Sequence, residues 1–172
     1  MKKIPFYLLM ISITLGLHSC QPPASGGSSS DEKYAIIPLP ASMTPQSGEF
    51  SIGEGTVISV ADEAMDALPT ADMLSGLIQE QTSMALAVEK GGSAGNGKIH
   101  FALNDGLTSE EAYTLDVSNA QINISAKGAA GFFYAMQSLR QLFPPAFEAG
   151  GVSPLSVPAV KIEDQPRYVY RG

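Results

Sequence analysis

The chain has 172 residues, of which 44% are hydrophobic and 16% are charged, and its formal net charge is −7. Phosphate backbones and anionic headgroups repel an acidic protein, so the charge argues against nucleic acid as a partner and against electrostatic attachment to anionic lipid. The single cysteine cannot form an internal disulfide, so the folded part must be stabilised by its hydrophobic core. The length suits one domain.

The N-terminus has the pattern of an export signal. Lys2 and Lys3 precede an apolar run over residues 4–17, which is too short to span a bilayer as a stable helix but suits the core of a signal peptide. The run ends in Leu17-His18-Ser19-Cys20, which resembles the bacterial lipobox. We therefore predict a lipoprotein signal peptide over residues 1–19.

Cys20 is the predicted lipid-attachment site and would become the first residue of the mature protein. Each acyl chain contributes roughly 0.8 kcal/mol per buried methylene, so acylation would hold the protein on the bilayer without spanning it. A cell-envelope location follows, and Gln21 after the cysteine favours the outer membrane. Residues 20–33 are rich in Pro, Gly and Ser and are predicted to be a flexible tether. The alternative for Cys20 is a buried structural cysteine.

The first half of the folded part predicts short strands and one helix. Residues 35–40 form an apolar run closed by prolines, which indicates an edge strand or an extended lead-in. Alternation and β-branched residues predict strands at 48–52 and 56–60 with a glycine turn between them. Apolar spacing predicts a helix from about Thr70 to Thr82, with Pro69 near its first turn.

The second half predicts further strands, and a helix follows Gly128. Phe132, Met136, Leu139 and Phe143 recur at helical spacing and form the apolar stripe of that helix, which Pro144-Pro145 ends. The predicted strands are 84–88, 98–103, 111–117, 121–125 and 156–162. This order of elements predicts an α+β fold, a mostly antiparallel sheet with two helices packed on one side.

Residues suited to catalysis are few. Past the signal peptide the only histidine is His100, which alternates with apolar residues on a predicted strand and is expected at the surface or in strand pairing. The acid pairs Glu110-Glu111 and Glu163-Asp164 could serve a glycosidase, but neighbours on a strand point to opposite faces, so solvated acids are favoured. The glycine-rich loop 91–97 lacks the lysine and helix of a phosphate-binding loop. We predict no catalytic, metal-binding or cofactor-binding residue in the chain.

Three segments of the chain are similar, in order, to parts of one known domain. The first is Ile37-Pro38-Leu39-Pro40 followed by Gly48-Glu49-Phe50. The second consists of the strands at 111–117 and 122–126 and the following Gly131-Phe132-Phe133-Tyr134 segment, and the third is the ending from Val157 to Gly172. Together they resemble the opening of the N-terminal domain, its core and its junction with the catalytic domain in family 20 glycoside hydrolases, the bacterial β-N-acetylhexosaminidases. The resemblance covers residues 34–172.

The resemblance implies that residues 34–166 are the non-catalytic N-terminal domain of such an enzyme. It also implies that residues 167–172 are the truncated start of a catalytic (β/α)₈ barrel that the chain lacks, together with the barrel's Asp-Glu pair. The expected function is that of an accessory domain of an exported enzyme that hydrolyses terminal non-reducing N-acetylhexosamine residues in glycans. The glycan would be bound through the missing barrel, and the chain alone is expected to be inactive.

A second hypothesis is a standalone surface lipoprotein that binds a glycan or a partner protein. Sugar-binding surfaces usually expose aromatic side chains, but this sequence has no tryptophan. Two of its tyrosines, Tyr113 and Tyr134, fall in elements predicted to form the core. The accessory-domain hypothesis is therefore preferred.

Overall fold

The structure, a computed structural model, describes residues 33–150, 152 and 154–166. These residues form seven strands, two α-helices and two short 3₁₀ helices. The strands are β1 (Ser42–Ile52), β2 (Val57–Val60), β3 (Ala87–Lys90), β4 (Lys98–Leu103), β5 (Tyr113–Val117), β6 (Ile122–Ala126) and β7 (Leu155–Asp164). The helices are α1 (Leu68–Thr82) and α2 (Ala129–Gln141), and the 3₁₀ helices are Asp62–Ala67 and Pro145–Ala149.

All seven strands belong to one open sheet in the order β1-β7-β5-β6-β4-β2-β3. The predicted α+β class is confirmed, and the sheet is mixed, with three antiparallel and three parallel strand pairs. The antiparallel pairs join β1, β7, β5 and β6. The parallel pairs join β6, β4, β2 and β3. β3 runs in the direction of β2 because α1 carries the chain back across the sheet between them.

The largest differences between the predicted and the observed strand boundaries are at the starts of β1 and β3. β1 begins at Ser42 rather than at residue 48, because it pairs along almost the whole of β7 with a register shift between Pro45 and Glu49. β3 begins at Ala87 rather than at residue 84, because the preceding residues close α1. In this closing segment the N–H of Met84 donates to Thr82 Oγ1 at 3.2 Å, and Ser75 Oγ donates to the carbonyl of Leu86 at 2.8 Å.

Both helices pack on one side of the sheet, as predicted. α1 contacts β2 and β3, α2 contacts β5 and β6, and the two helices contact each other. The predicted apolar stripe of α2 is buried, and the rings of Phe132 and Phe101 lie 6.0 Å apart between α2 and β4. Alternation along the strands therefore gives the sheet one apolar face, under the helices, and one polar face.

The polar face carries one row of register-matched residues across the sheet. The row consists of Glu89, Ser59, His100, Asn123, Asp116, Lys161 and Thr44. The glycine-rich loop at 91–97 covers one end of this row, since Ser59 Oγ donates to the carbonyl of Ser93 at 3.4 Å. Within the described part of the chain, no helix is long and apolar enough to cross a membrane.

Candidate functional site

The candidate site is a groove beside the lead-in (residues 35–40), at the end of β7. It has a volume of about 620 Å³ and is bounded by residues 36–39, by α2 and by residues 164–166. The lead-in forms no strand and bends at Ile37-Pro38, so of the two alternatives predicted for residues 35–40 the edge strand is wrong. We call this concavity the exit groove, because the described chain leaves the domain there at Pro166.

The lead-in is fixed by polar contacts. The N–H of Ile37 donates to Gln141 Oε1 of α2 at 2.8 Å, and the N–H of Ala41 donates to Asp164 Oδ1 at 3.0 Å. Tyr34 Oη donates to the carbonyl of Ala159 on β7 at 3.1 Å. The walls of the exit groove are therefore held in place although two large apolar side chains on its rim are open to solvent. Ile37 is 80% exposed and Leu39 is 66% exposed.

The base of the exit groove contains a buried hydroxyl pair. Tyr113 Oη and Ser138 Oγ hydrogen-bond at 2.6 Å. Burial, with a smaller contribution from the Asp164 carboxylate, raises the pKa of Tyr113 to about 12. The phenol is thus a neutral partner at any ordinary pH, and it joins β5 to α2 directly below the groove.

The structure brings together acids from the two predicted pairs. Glu111 and Asp164 both line the exit groove, because β5 and β7 pair with Tyr113 opposite Asp164. Glu163 points to the opposite, polar face and forms an ion pair with Lys161 at 3.0 Å. One member of each predicted acid pair therefore lines the same groove. Sequence alternation alone could not reveal this, because the proximity depends on the pairing of two distant strands.

His100 lies away from the exit groove, on the polar face of β4. It is 8% exposed, and its Nδ1 shares a hydrogen bond of 2.8 Å with Ser59 Oγ on the neighbouring strand. Burial lowers the pKa of His100 below its ordinary value of 6.5, with Glu63 acting in the opposite direction. Of the two positions predicted for His100, strand pairing is confirmed and a surface position is wrong.

The described residues contain no group of three or more His, Cys, Asp or Glu side chains that could hold a metal ion. The predicted acylation site Cys20, the predicted tether up to Asp31 and Glu32, and the predicted barrel start at 167–172 lie outside the described residues. The exit groove itself was not predicted. Its only sequence signal is the apolar run at 35–40, whose side chains line a surface and do not pair in the sheet.

Comparison with known proteins identifies the domain. Residues 33–165 match the family described as Glycosyl hydrolase family 20, domain 2. A β-hexosaminidase of Porphyromonas gingivalis is 32% identical over 145 residues, which cover 83% of this chain and 18% of that protein. A β-N-acetylhexosaminidase of Cellulomonas fimi is 29% identical over 139 residues, which cover 80% of this chain and 27% of that protein.

Solved structures show the same arrangement of strands and helices. The β-N-acetylhexosaminidase of Streptomyces coelicolor A3(2) superposes with a TM-score of 0.72 at 35% identity, over 81% of this chain and 28% of that chain. The enzyme of Bacteroides fragilis superposes with a TM-score of 0.58 at 28% identity, over 77% of this chain and 25% of that chain. The match therefore spans between 18% and 28% of the length of the first two curated relatives and of these solved structures.

Proposed function

Because the chain belongs to glycosyl hydrolase family 20 and matches its domain 2, we propose that it is the accessory domain of an exported β-N-acetylhexosaminidase. Its task is to support a catalytic domain that removes terminal non-reducing N-acetylhexosamine residues from glycans. The observation that carries this proposal is the match over residues 33–165, nearly all of the described chain, to a domain whose relatives are named for this activity.

The polar groups of the domain support a structural role. Tyr113 and Ser138 satisfy each other below the exit groove, and His100 is buried against Ser59. Asp164 accepts a backbone N–H from the lead-in. These contacts hold elements of the domain together, and we propose that the catalytic residues of the complete enzyme lie in another domain.

A domain swap tests the accessory role. In the Porphyromonas gingivalis relative, the stretch that matches this chain would be replaced by residues 34–166. We expect a soluble chimera that hydrolyses an aryl N-acetylglucosaminide, whereas deletion of the same stretch without replacement should give an insoluble or inactive product. The deletion variant is the matched control. A chimera no better than the deletion would contradict the accessory role.

The absence of catalytic residues is tested on the chain itself. Purified chain incubated with an aryl N-acetylglucosaminide should release no more of the aryl alcohol than buffer does. Turnover that disappears when Glu111 or Asp164 is replaced by its amide would contradict the proposal and would identify the exit groove as an active site.

We further propose that Cys20 carries the lipid anchor and holds the protein in the cell envelope, in the outer membrane. The support is the sequence Leu17-His18-Ser19-Cys20 after an apolar run. Expression in cells fed a labelled fatty acid should label the wild-type chain, which should fractionate with outer membranes. Cys20→Ser should be unlabelled and should no longer fractionate with outer membranes, while Ser19→Ala, which keeps a small residue before the thiol, should be labelled normally. Equal labelling of Cys20→Ser would refute the site.

A further inference from the structure

The exit groove lies where the polypeptide leaves the domain, and its rim is apolar and uncovered. Pro166, the last residue described, lines the groove together with Ile37 and Leu39. Ile37 is 80% exposed and Leu39 is 66% exposed, whereas every other isoleucine of the described chain is 5% exposed or less. We propose that the exit groove is a docking site for the segment that follows it, Arg167-Tyr168-Val169-Tyr170.

The reach of this segment restricts where it can bind. Four residues in extended conformation span at most about 14 Å. Starting from Pro166, the segment can contact only surfaces close to the end of β7, and the exposed side chains of Ile37 and Leu39 belong to the same groove as Pro166. The polar face of the sheet has no comparable apolar surface, because the exposed large hydrophobic residues of the described chain lie on the lead-in, on the helices and on the first 3₁₀ helix.

The side chains of the segment match the groove in polarity. In an extended segment Tyr168 and Tyr170 point to one side. A tyrosine ring covers apolar surface while its hydroxyl reaches a polar partner. The exit groove offers both, with Ile37 and Leu39 on the rim and the amides of Gln137 and Gln141 on α2.

The charges are also complementary. Glu111 and Asp164 line the groove and give it negative charge. Arg167 is the first residue after Pro166, and a guanidinium group binds carboxylates through paired hydrogen bonds. A groove that carries two acids and an apolar rim therefore fits an arginine followed by aromatic and aliphatic residues.

The walls of the groove are held by hydrogen bonds within the domain. Hydrogen bonds from Ile37 to Gln141 and from Ala41 to Asp164 fix the lead-in. A pre-formed site loses little conformational freedom on binding, so docking of a short segment is favoured. This inference rests on the proposed function in one respect: in an accessory domain, docking would set the direction in which the polypeptide continues toward the catalytic domain.

Tryptophan fluorescence tests the docking, because the chain has no tryptophan of its own. Tyr168→Trp and Tyr170→Trp would each place a single reporter in the segment of the full chain. We expect at least one reporter to emit at shorter wavelength than in urea and to be quenched by acrylamide several-fold less than in the unfolded chain. Adding Leu39→Ser should raise the quenching toward the unfolded value.

Met73→Ser is the matched control. Met73 is 51% exposed on α1 and does not line the exit groove, so its replacement should leave the quenching unchanged. Both exposed side chains can be replaced without opening the core, and circular dichroism would verify the fold. Full quenching of both reporters, or shielding unchanged by Leu39→Ser, would overturn the proposal. Shielding that increases with protein concentration would also overturn it, because a second copy would then occupy the groove. The fluorescence test measures no activity. If the domain swap failed, the evidence for docking of the segment would therefore be unaffected.

Discussion

Gly131, in the first turn of α2, should be intolerant of even one added methyl group. A Cβ built at this position would lie 2.5 Å from the carbonyl oxygen of Ala112 and 2.8 Å from the Cβ of Ala126. The N–H of Gly131 also donates to the carbonyl of Glu110 at 3.0 Å. The small side chains at 129–131 therefore let the helix start directly against the strands.

The magnitude for Gly131→Ala follows from two opposing effects. Alanine in place of a helical glycine stabilises a protein by about 0.5–1 kcal/mol where space allows. Forcing a methyl group into a packed site costs about 1–3 kcal/mol, and neither the carbonyl of Ala112 nor the Cβ of Ala126 can rotate away. We expect Gly131→Ala to lower the free energy of unfolding by about 1–2 kcal/mol.

Gly76, in the middle of α1, provides the matched control, because a Cβ there would meet nothing within 4 Å. Gly76→Ala should raise the free energy of unfolding by about 0.5–1 kcal/mol. Urea denaturation followed by helical circular dichroism would measure both variants, provided that the dependence on urea stays that of the wild type. If Gly131→Ala were as stable as the wild type, α2 would not lie as close to Ala112 as the structure shows.

The remaining predictions concern buried groups of the core and the sheet. Tyr113→Phe should destabilise the fold by about 1–3 kcal/mol, because Ser138 Oγ loses its partner, and adding Ser138→Ala should recover part of this loss in urea denaturation. The pKa of Tyr113 is raised to about 12, so the unfolded chain releases this proton first and stability should fall by about 2–3 kcal/mol between pH 10 and 12. The pKa of His100 is lowered, so its contribution to stability is present above pH 6.5 and is lost as pH falls through the folded-state value; His100→Gln should weaken this decline, measured by urea denaturation at several pH values. Phe132→Ala should cost about 3–5 kcal/mol in thermal or urea unfolding, because the ring is fully buried.

Each of these predictions has a result that would count against it. If adding Ser138→Ala to Tyr113→Phe did not increase stability, the Ser138 hydroxyl in the single variant would be hydrogen-bonded to water. An alkaline loss of stability that persists in Tyr113→Phe would belong to other groups. Equal acid sensitivity of His100→Gln and wild type would assign the decline to carboxylates. A loss below about 1 kcal/mol for Phe132→Ala would contradict the packing of α2.

Much of the sheet could be predicted because its strands are amphipathic. In β4, β5 and β6, apolar residues alternate with polar ones, so the period of two gives both the strand and its buried face. β4 has the predicted bounds, and Ile99 and Phe101 are fully buried as expected. The stripe on α2 was equally informative, since its period of about 3.6 is retained from Phe132 to Phe143.

The features that could not be predicted are set by distant pairing. The first residues of β1 are mostly exposed and contain Pro45, so their extended conformation depends on β7. Parallel pairing of β2 with β4 leaves no local pattern, because it depends on the path of the chain through α1. The exit groove could not be predicted either, because Glu111 and Asp164 are neighbours only through the register of β5 and β7.

The distribution of exposed apolar residues supports an accessory role more strongly than a free-standing one. A surface lipoprotein that binds glycans would be expected to expose aromatic rings on a regular face, yet the open face of the sheet carries the polar row from Glu89 to Thr44. The large apolar side chains left exposed in the described chain are Ile37, Leu39, Met65, Met73 and Phe133. They lie on the lead-in, the helices and the first 3₁₀ helix, where they leave the sheet's polar face free. Because exposed apolar surface marks sites of contact, a neighbouring domain would be met on the helical side and at the exit groove.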